Sequence, residues 1–162
     1  MILINSLPQE CKDFARQKAE ELPTLNNSIT KGEGNYVGFV GEWIVRKFLG
    51  GVSSNTYDYD IVLDNGETVD VKTKKTKFEP QPHYECSVAA YNTKQKCDYY
   101  AFVRVDEENN RAWYLGVYRK GDYYKDARQL KKGDLDPSNN FVCKADCFNL
   151  PISKLEFSPD DL

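Results

Sequence analysis

The sequence predicts an α/β (α+β) fold, with helices first and then a central sheet of about four or five strands with one or more short later helices. Three observations predict it. Apolar residues recur at helical spacing ahead of Gly50, they alternate with polar ones between Asp58 and Lys74, and runs rich in aromatic and β-branched residues follow between polar turns. The chain has 162 residues, 40% hydrophobic and 13% aromatic. That suits one domain over 1–162 with a buried core, and it is too apolar for intrinsic disorder.

Taken in order, the N-terminal helices are expected within about residues 12–50. Lys12 to Leu22 carries good helix formers and stops before Pro23, while Leu25 to Gly34 is rich in Asn, Ser, Thr and Gly and reads as a loop. Tyr36, Phe39, Val40, Trp43, Ile44 and Phe48 then share one helical face, and Gly50-Gly51 supplies the stop. A hairpin is expected over about 57–75, and later strands over about 83–150: Tyr84 to Ala90, Asp98 to Val105 and Ala112 to Tyr118. Gly121 to Asn140 reads as irregular with a helical turn near Asp126 to Leu130, and Phe141 to Leu150 as a short edge element.

The hairpin register follows from where the charges would fall. A two-residue turn at Asn65-Gly66 would mix apolar and charged side chains on both faces. A three-residue loop, Asp64-Asn65-Gly66 with Gly66 in the left-handed region, sets Leu63 against Glu67, Ile61 against Val69 and Asp60 against Asp70. Ile61, Val69 and Val71 then share a face with Tyr59 and Leu63, and Asp58, Asp60, Asp70 and Lys72 share the other.

Carboxylates opposite each other on adjacent strands repel, so a compensating positive charge is expected. Mg²⁺ takes oxygen ligands and is commonly held by one or two carboxylates, and Lys72 on the same face adds a cation able to serve a water and to stabilise charge developing on phosphorus. A solvated strand face of paired surface charges explains the same spacing without chemistry.

Tyr59-Asp60, then Asp70-Val71-Lys72 after an interval of nine residues, resembles the PD-(D/E)xK nuclease signature, in which an Asp precedes an acidic-x-Lys triplet on the partner strand of a hairpin. An upstream helix with Gly41-Glu42-Trp43 and a later strand from Asp98 to Val103 are similar to the surroundings of that motif, and the layout through Leu150 to Leu155 is similar to small phage or bacterial endonuclease-like proteins of the superfamily. The resemblance covers about Tyr36 to Val117. It implies a restriction-endonuclease-like core with a central mixed β-sheet flanked by helices, and a Mg²⁺-dependent endodeoxyribonuclease, with Mn²⁺ able to substitute. It implies that Asp60, Asp70 and the backbone carbonyl of Val71 hold the metal, that Lys72 serves the attacking water, and that Glu42 stands at the rim. Gly38 and Gly41 would let its helix approach the sheet. Tyr59 stands where the family often has Pro, and the interval between the acids is short, so Asp58 rivals Asp60 as the first ligand.

The net charge of −3 gives no whole-molecule attraction for phosphate, so a DNA partner must rely on local charge. Residues 70–96 carry +3 and the rest of the chain −6, which makes Lys74 and Lys75 the candidate DNA contacts and Lys74, continuing the Lys72 face, the better one. Tyr91, Tyr99, Tyr100, Tyr123 and Tyr124 are candidates for stacking on bases, or else core and rim. A homodimer would bring two sites to the two strands of a duplex. No run approaches the roughly 18 apolar residues of a membrane helix, and Met1 to Pro8 lacks a signal-peptide layout, so no membrane and a cytoplasmic location are expected. The cysteines Cys11, Cys86, Cys97, Cys143 and Cys147 read as reduced thiols. Two other readings remain at this point: a non-catalytic nucleic-acid-binding or assembly protein on the same fold, and a small zinc-stabilised interaction protein using His83 and some cysteines.

Overall fold

A computed structural model describes residues 1–22, 33–136 and 140–162. The elements in chain order are β1 (Ile2–Ile4), α1 (Gln9–Glu21), α2 (Glu33–Leu49), β2 (Val52–Ser53), β3 (Ile61–Val62), β4 (Thr68–Lys75), β5 (Glu85–Ala89), β6 (Tyr99–Asp106), β7 (Arg111–Arg119), α3 (Lys120–Asp126), β8 (Arg128–Leu130), β9 (Leu135–Asp136), β10 (Phe141–Val142) and β11 (Cys147–Pro151). A six-stranded mixed sheet runs β1-β7-β6-β4-β3-β2. Only β4 and β6 pair in parallel within it, because the chain between them crosses the sheet face by way of β5 and a 3₁₀ turn over Ala90–Lys94.

Alternation along the central strands builds two cores on opposite faces. On one face Val69, Tyr99, Ala101, Val103, Val105, Ala112 and Tyr114 meet Val37, Val40, Ile44 and Val45 of α2 and Cys11 and Ala15 of α1. On the other, Tyr100, Phe102, Trp113 and Leu115 meet Tyr123 of α3 with Cys86, Val88 and Leu150. Those last residues belong to a three-stranded antiparallel sheet, β5-β11-β8, that lies over this second face. Tyr123 stitches it to the main sheet, its hydroxyl donating to the carbonyls of Cys86 (2.9 Å) and Phe148 (2.8 Å). Polar strand residues on the second face therefore look into the space between two sheets rather than into solvent.

The mixed α+β class is as expected, and the architecture differs from the expectation in five respects. The main sheet has six strands, because the apolar Ile2–Ile4 pairs with β7 and Val52–Ser53 with β3, both too short to show a period. The long helices cover one face, and the small sheet with α3 covers the other, so the sheet is not flanked by long helices on both sides. The segment Tyr84 to Ala90 forms a strand of the small sheet. The helical turn expected near Asp126 to Leu130 is displaced: α3 occupies Lys120–Asp126, held by buried Tyr123, and Arg128–Leu130 is strand. The expected edge element contains β11, which is the central strand of the small sheet. Most of the expected loop Leu25 to Gly34 lies outside the described residues, its last two positions opening α2.

Candidate active site

The hairpin folds in the three-residue-loop register. Ile61 pairs with Val69 and Val62 with Thr68. The Leu63 N–H donates to the Glu67 carbonyl at 2.8 Å, and Gly66 has φ of +87°, a conformation that excludes most side chains. The ladder stops at Ile61, where the chain turns away, so the expected alternation does not extend to residues 58 and 59. Tyr59 packs on the second core instead of sharing the Ile61 face. Asp58 accepts the Lys96 N–H at 3.0 Å and caps the turn after Lys94 instead of standing opposite Lys72. Asp60 turns toward β4, where its Oδ2 accepts the Val71 N–H at 2.8 Å.

Asp70 lies on the second face, 5% exposed. Its Oδ2 is 2.7 Å from Lys72 Nζ, and its Oδ1 accepts from Gln95 Nε2 at 3.1 Å. Gln95 is also buried. Its Oε1 accepts from Lys72 Nζ at 3.2 Å and its Nε2 donates to the Tyr57 carbonyl at 2.9 Å, so one amide fixes both members of the acidic-x-Lys triplet. Lys120 holds that turn by donating to the carbonyls of Thr93 and Gln95. The Lys72 ammonium sits 5.4 Å from the Tyr100 ring centroid, an orientation that leaves it facing the carboxylates.

Glu42 reaches this region from α2. Gly41 makes the approach feasible, since a Cβ there would fall 1.9 Å from Thr73 Oγ1 and 3.0 Å from Thr73 Cβ. Gly38 meets nothing within 4 Å and contributes no such clearance. Glu42 is 1% exposed; its Oε2 accepts from Asn55 Nδ2 at 2.7 Å, and its Oε1 is buried without a hydrogen-bond partner. A buried carboxylate oxygen left unpaired costs free energy in an otherwise packed core.

Electrostatics follow from this crowding. Burial first, then the Asp70 charge, pushes the Asp60 carboxyl up to about 7, with Glu42 adding to the rise and the Val71 N–H and Lys72 opposing it. Burial also raises Asp70 above the ordinary carboxylate value, against the pull of Lys72 and Gln95. Two carboxyls held in one partly dry site resist ionising together unless more positive charge arrives. Oxygen donors of this kind suit a hard cation such as Mg²⁺. Among the described residues no three His, Cys, Asp or Glu side chains converge as a ready-made ligand set.

The structure thus brings Asp60, Asp70, Lys72 and Glu42 into one neighbourhood. Lys74 continues the same face of β4. Lys75 falls on the opposite face and pairs with Glu107 at 3.0 Å, away from the site. His83 is exposed in a loop, its ring in a T-shaped contact with Tyr84. Tyr99, Tyr100 and Tyr123 are core residues, while Tyr91 is exposed. The five cysteines are free, and burial pushes the Cys11, Cys86 and Cys97 thiols up to about 12, which suits inert packing. Sequence reading missed Gln95 and Asn55, which carry no motif and reach the site only through tertiary folding. No described helix is long and apolar enough to cross a membrane. No family model matches the chain, and no curated protein matches it in sequence.

Proposed function

We propose that the protein is a metal-dependent nuclease that hydrolyses DNA phosphodiester bonds, with Mg²⁺ as its cation and Mn²⁺ as a substitute. The observation that carries this reading is the pairing of half-buried Asp60, turned onto β4 by its hydrogen bond from the Val71 N–H, with buried Asp70, against which Lys72 lies directly. Asp60, Asp70 and the Val71 carbonyl would hold the cation, which when bound supplies positive charge to offset the carboxylates and to polarise the phosphate. Lys72, kept in place by Asp70 and Gln95, orients the attacking water and stabilises negative charge on the phosphoryl oxygens. Glu42 offers its unpaired oxygen as an acceptor at the rim of the site. The water oxygen bonds to phosphorus, one phosphorus–oxygen bond to the sugar breaks, and the water proton passes to solvent while the departing oxygen acquires one. The resemblance to PD-(D/E)xK nucleases supports the same assignment.

A second reading, a nucleic-acid-binding or assembly protein with idle carboxylates, is favoured by one observation: Lys72 already neutralises Asp70 at 2.7 Å. Incubation with linear, circular, single-stranded and branched DNA separates the two. Cleavage that appears with Mg²⁺ and disappears with chelator supports the nuclease. Binding of these DNAs with no cleavage under either Mg²⁺ or Mn²⁺ supports the second reading.

A further inference from the structure

Beyond Lys72 the second face of β4 opens into a cleft of about 650 Å³ between the main sheet and the small sheet, lined by Lys74, Arg104, Arg128, Glu85 and Asp136 together with aromatic side chains. A narrower space of about 70 Å³ shares Lys74 and Arg104 with the cleft and has Lys72 of the candidate active site in its lining. We infer that this cleft takes a nucleotide unit of single-stranded nucleic acid, its phosphate held jointly by Lys74 and Arg104, and so selects single strands for the neighbouring site. The inference rests on the nuclease reading and deepens it.

The charge arrangement is what needs a ligand. Lys74 and Arg104 are register partners on parallel neighbours β4 and β6, so their side chains rise from the same face side by side. Arg104 is only 7% exposed, and its guanidinium makes one hydrogen bond, to the Glu85 carbonyl at 3.0 Å, while lying 5.6 Å from the Tyr84 ring centroid. Neither cation has a carboxylate partner among the described residues. The wall does hold carboxylates, but Arg128 takes both: its Nε donates to Glu85 Oε2 at 3.0 Å and its Nη2 to Asp136 Oδ2 at 2.8 Å. Partial burial lowers the proton affinity of both Lys74 and Arg104, and the Arg104 charge adds to the fall at Lys74. Two adjacent cations in a half-enclosed site, with nearby acids committed elsewhere, form a pre-built anion site, and the remaining guanidinium donors fit a phosphate.

Position and size narrow the anion. Lys74 lies four residues along the strand from Asp70, roughly 13 Å at the usual rise, so a phosphate held there belongs to a nucleotide farther along the strand than the one adjoining the bond being cut. The cleft volume lies within the roughly 300–1,000 Å³ of small-molecule pockets, which admits a nucleotide and not a turn of duplex. His83, Tyr84 and Phe141 line the same cleft, which puts aromatic side chains within reach of an unpaired base.

The test measures binding apart from cleavage. A short labelled single-stranded DNA and the matching duplex are titrated by fluorescence anisotropy in chelator, against the parent, Lys74→Gln and Arg104→Gln, with melting curves for each protein. The single strand should bind the parent at least about tenfold tighter than the duplex. Lys74→Gln should weaken single-strand binding about fivefold or more and reduce its salt slope by about 0.7, the value for one phosphate contact on a single strand. Lys74 is exposed, so this variant should keep the parental melting temperature even where Arg104→Gln fails to fold. Unchanged affinity and slope in Lys74→Gln overturn the inference, as does equal or tighter binding of the duplex. Competition by inorganic phosphate as effective as by the oligonucleotide also overturns it, in favour of a simple anion site. A parent that binds single strands in this way yet never cuts DNA removes the nuclease reading and leaves the cleft assignment standing. A parent that cuts while Lys74→Gln binds unchanged does the reverse.

Discussion

Lys72 occupies the most consequential position at the level of single residues, because its ammonium contacts Asp70 and Gln95 and offsets the Asp60 charge. Lys72→Ala should lower kcat/KM for DNA cleavage by about 10² to 10³, the effect of removing one preorganised charge stabiliser, while the protein still folds. Steady-state kinetics with a melting curve check this, and a variant that cuts at the parental rate removes Lys72 from the reaction. The residues of the acidic-x-Lys triplet and Glu42 were legible in the sequence because strand period and helix period place them. Gln95 and Asn55 were not, since an amide that joins two distant groups leaves no periodic trace. Asp58 was misplaced for a related reason: the ladder ends one residue after Asp60, and an alternation argument carries no information past the last paired residue.

Among the elements, α2 and the hairpin are the parts most fully read from sequence, since one has a continuous helical period and the other a turn whose glycine fixes the register. The small sheet was illegible by the same logic. Its strands are short and come from distant segments, and their pairing depends on Tyr123 and on the Arg128 bridge to Glu85 and Asp136. The contact between α2 and β4 gives a direct test. Gly41→Ala would drive a methyl group to 1.9 Å from Thr73 Oγ1, with Thr73 Cβ at 3.0 Å and Cγ2 at 3.2 Å leaving the side chain little room to turn aside, so the helix and strand must move apart. The expected cost is about 1–3 kcal/mol of stability, typical of overpacking. Gly38→Ala, with open space around it, should be neutral or slightly stabilising through helix propensity. Denaturant unfolding of the two variants checks the contrast, and equal effects would contradict the close approach that carries Glu42 to the site.

For the whole molecule, the two cores share one sheet, and the candidate site lies at that sheet's hairpin, so protonation at the site feeds directly into global stability. A carboxyl that holds its proton more tightly folded than unfolded contributes stability that is fully present below the unfolded value, 3.8, and lost as pH rises through the folded value, about 7 for Asp60. Free of divalent cation, the protein should lose stability between those limits through this pair, and Asp60→Asn should flatten that loss. Added Mg²⁺ should restore stability at the upper end, because a ligand of the folded state raises stability by mass action. Thermal melting across this pH range, with and without Mg²⁺, reads out both effects. A pH profile that Asp60→Asn leaves untouched would contradict the charge coupling.

Calorimetric titration of Mn²⁺ into the metal-free parent, Asp60→Asn and Asp58→Asn tests most directly whether Asp60 and Asp70 together hold a divalent cation. The parent should bind, Asp58→Asn should bind within about twofold because that side chain only caps the Lys96 N–H, and Asp60→Asn should lose at least about tenfold in affinity. A parent that takes up no Mn²⁺, or an Asp60→Asn variant that binds it as the parent does, would contradict the claim.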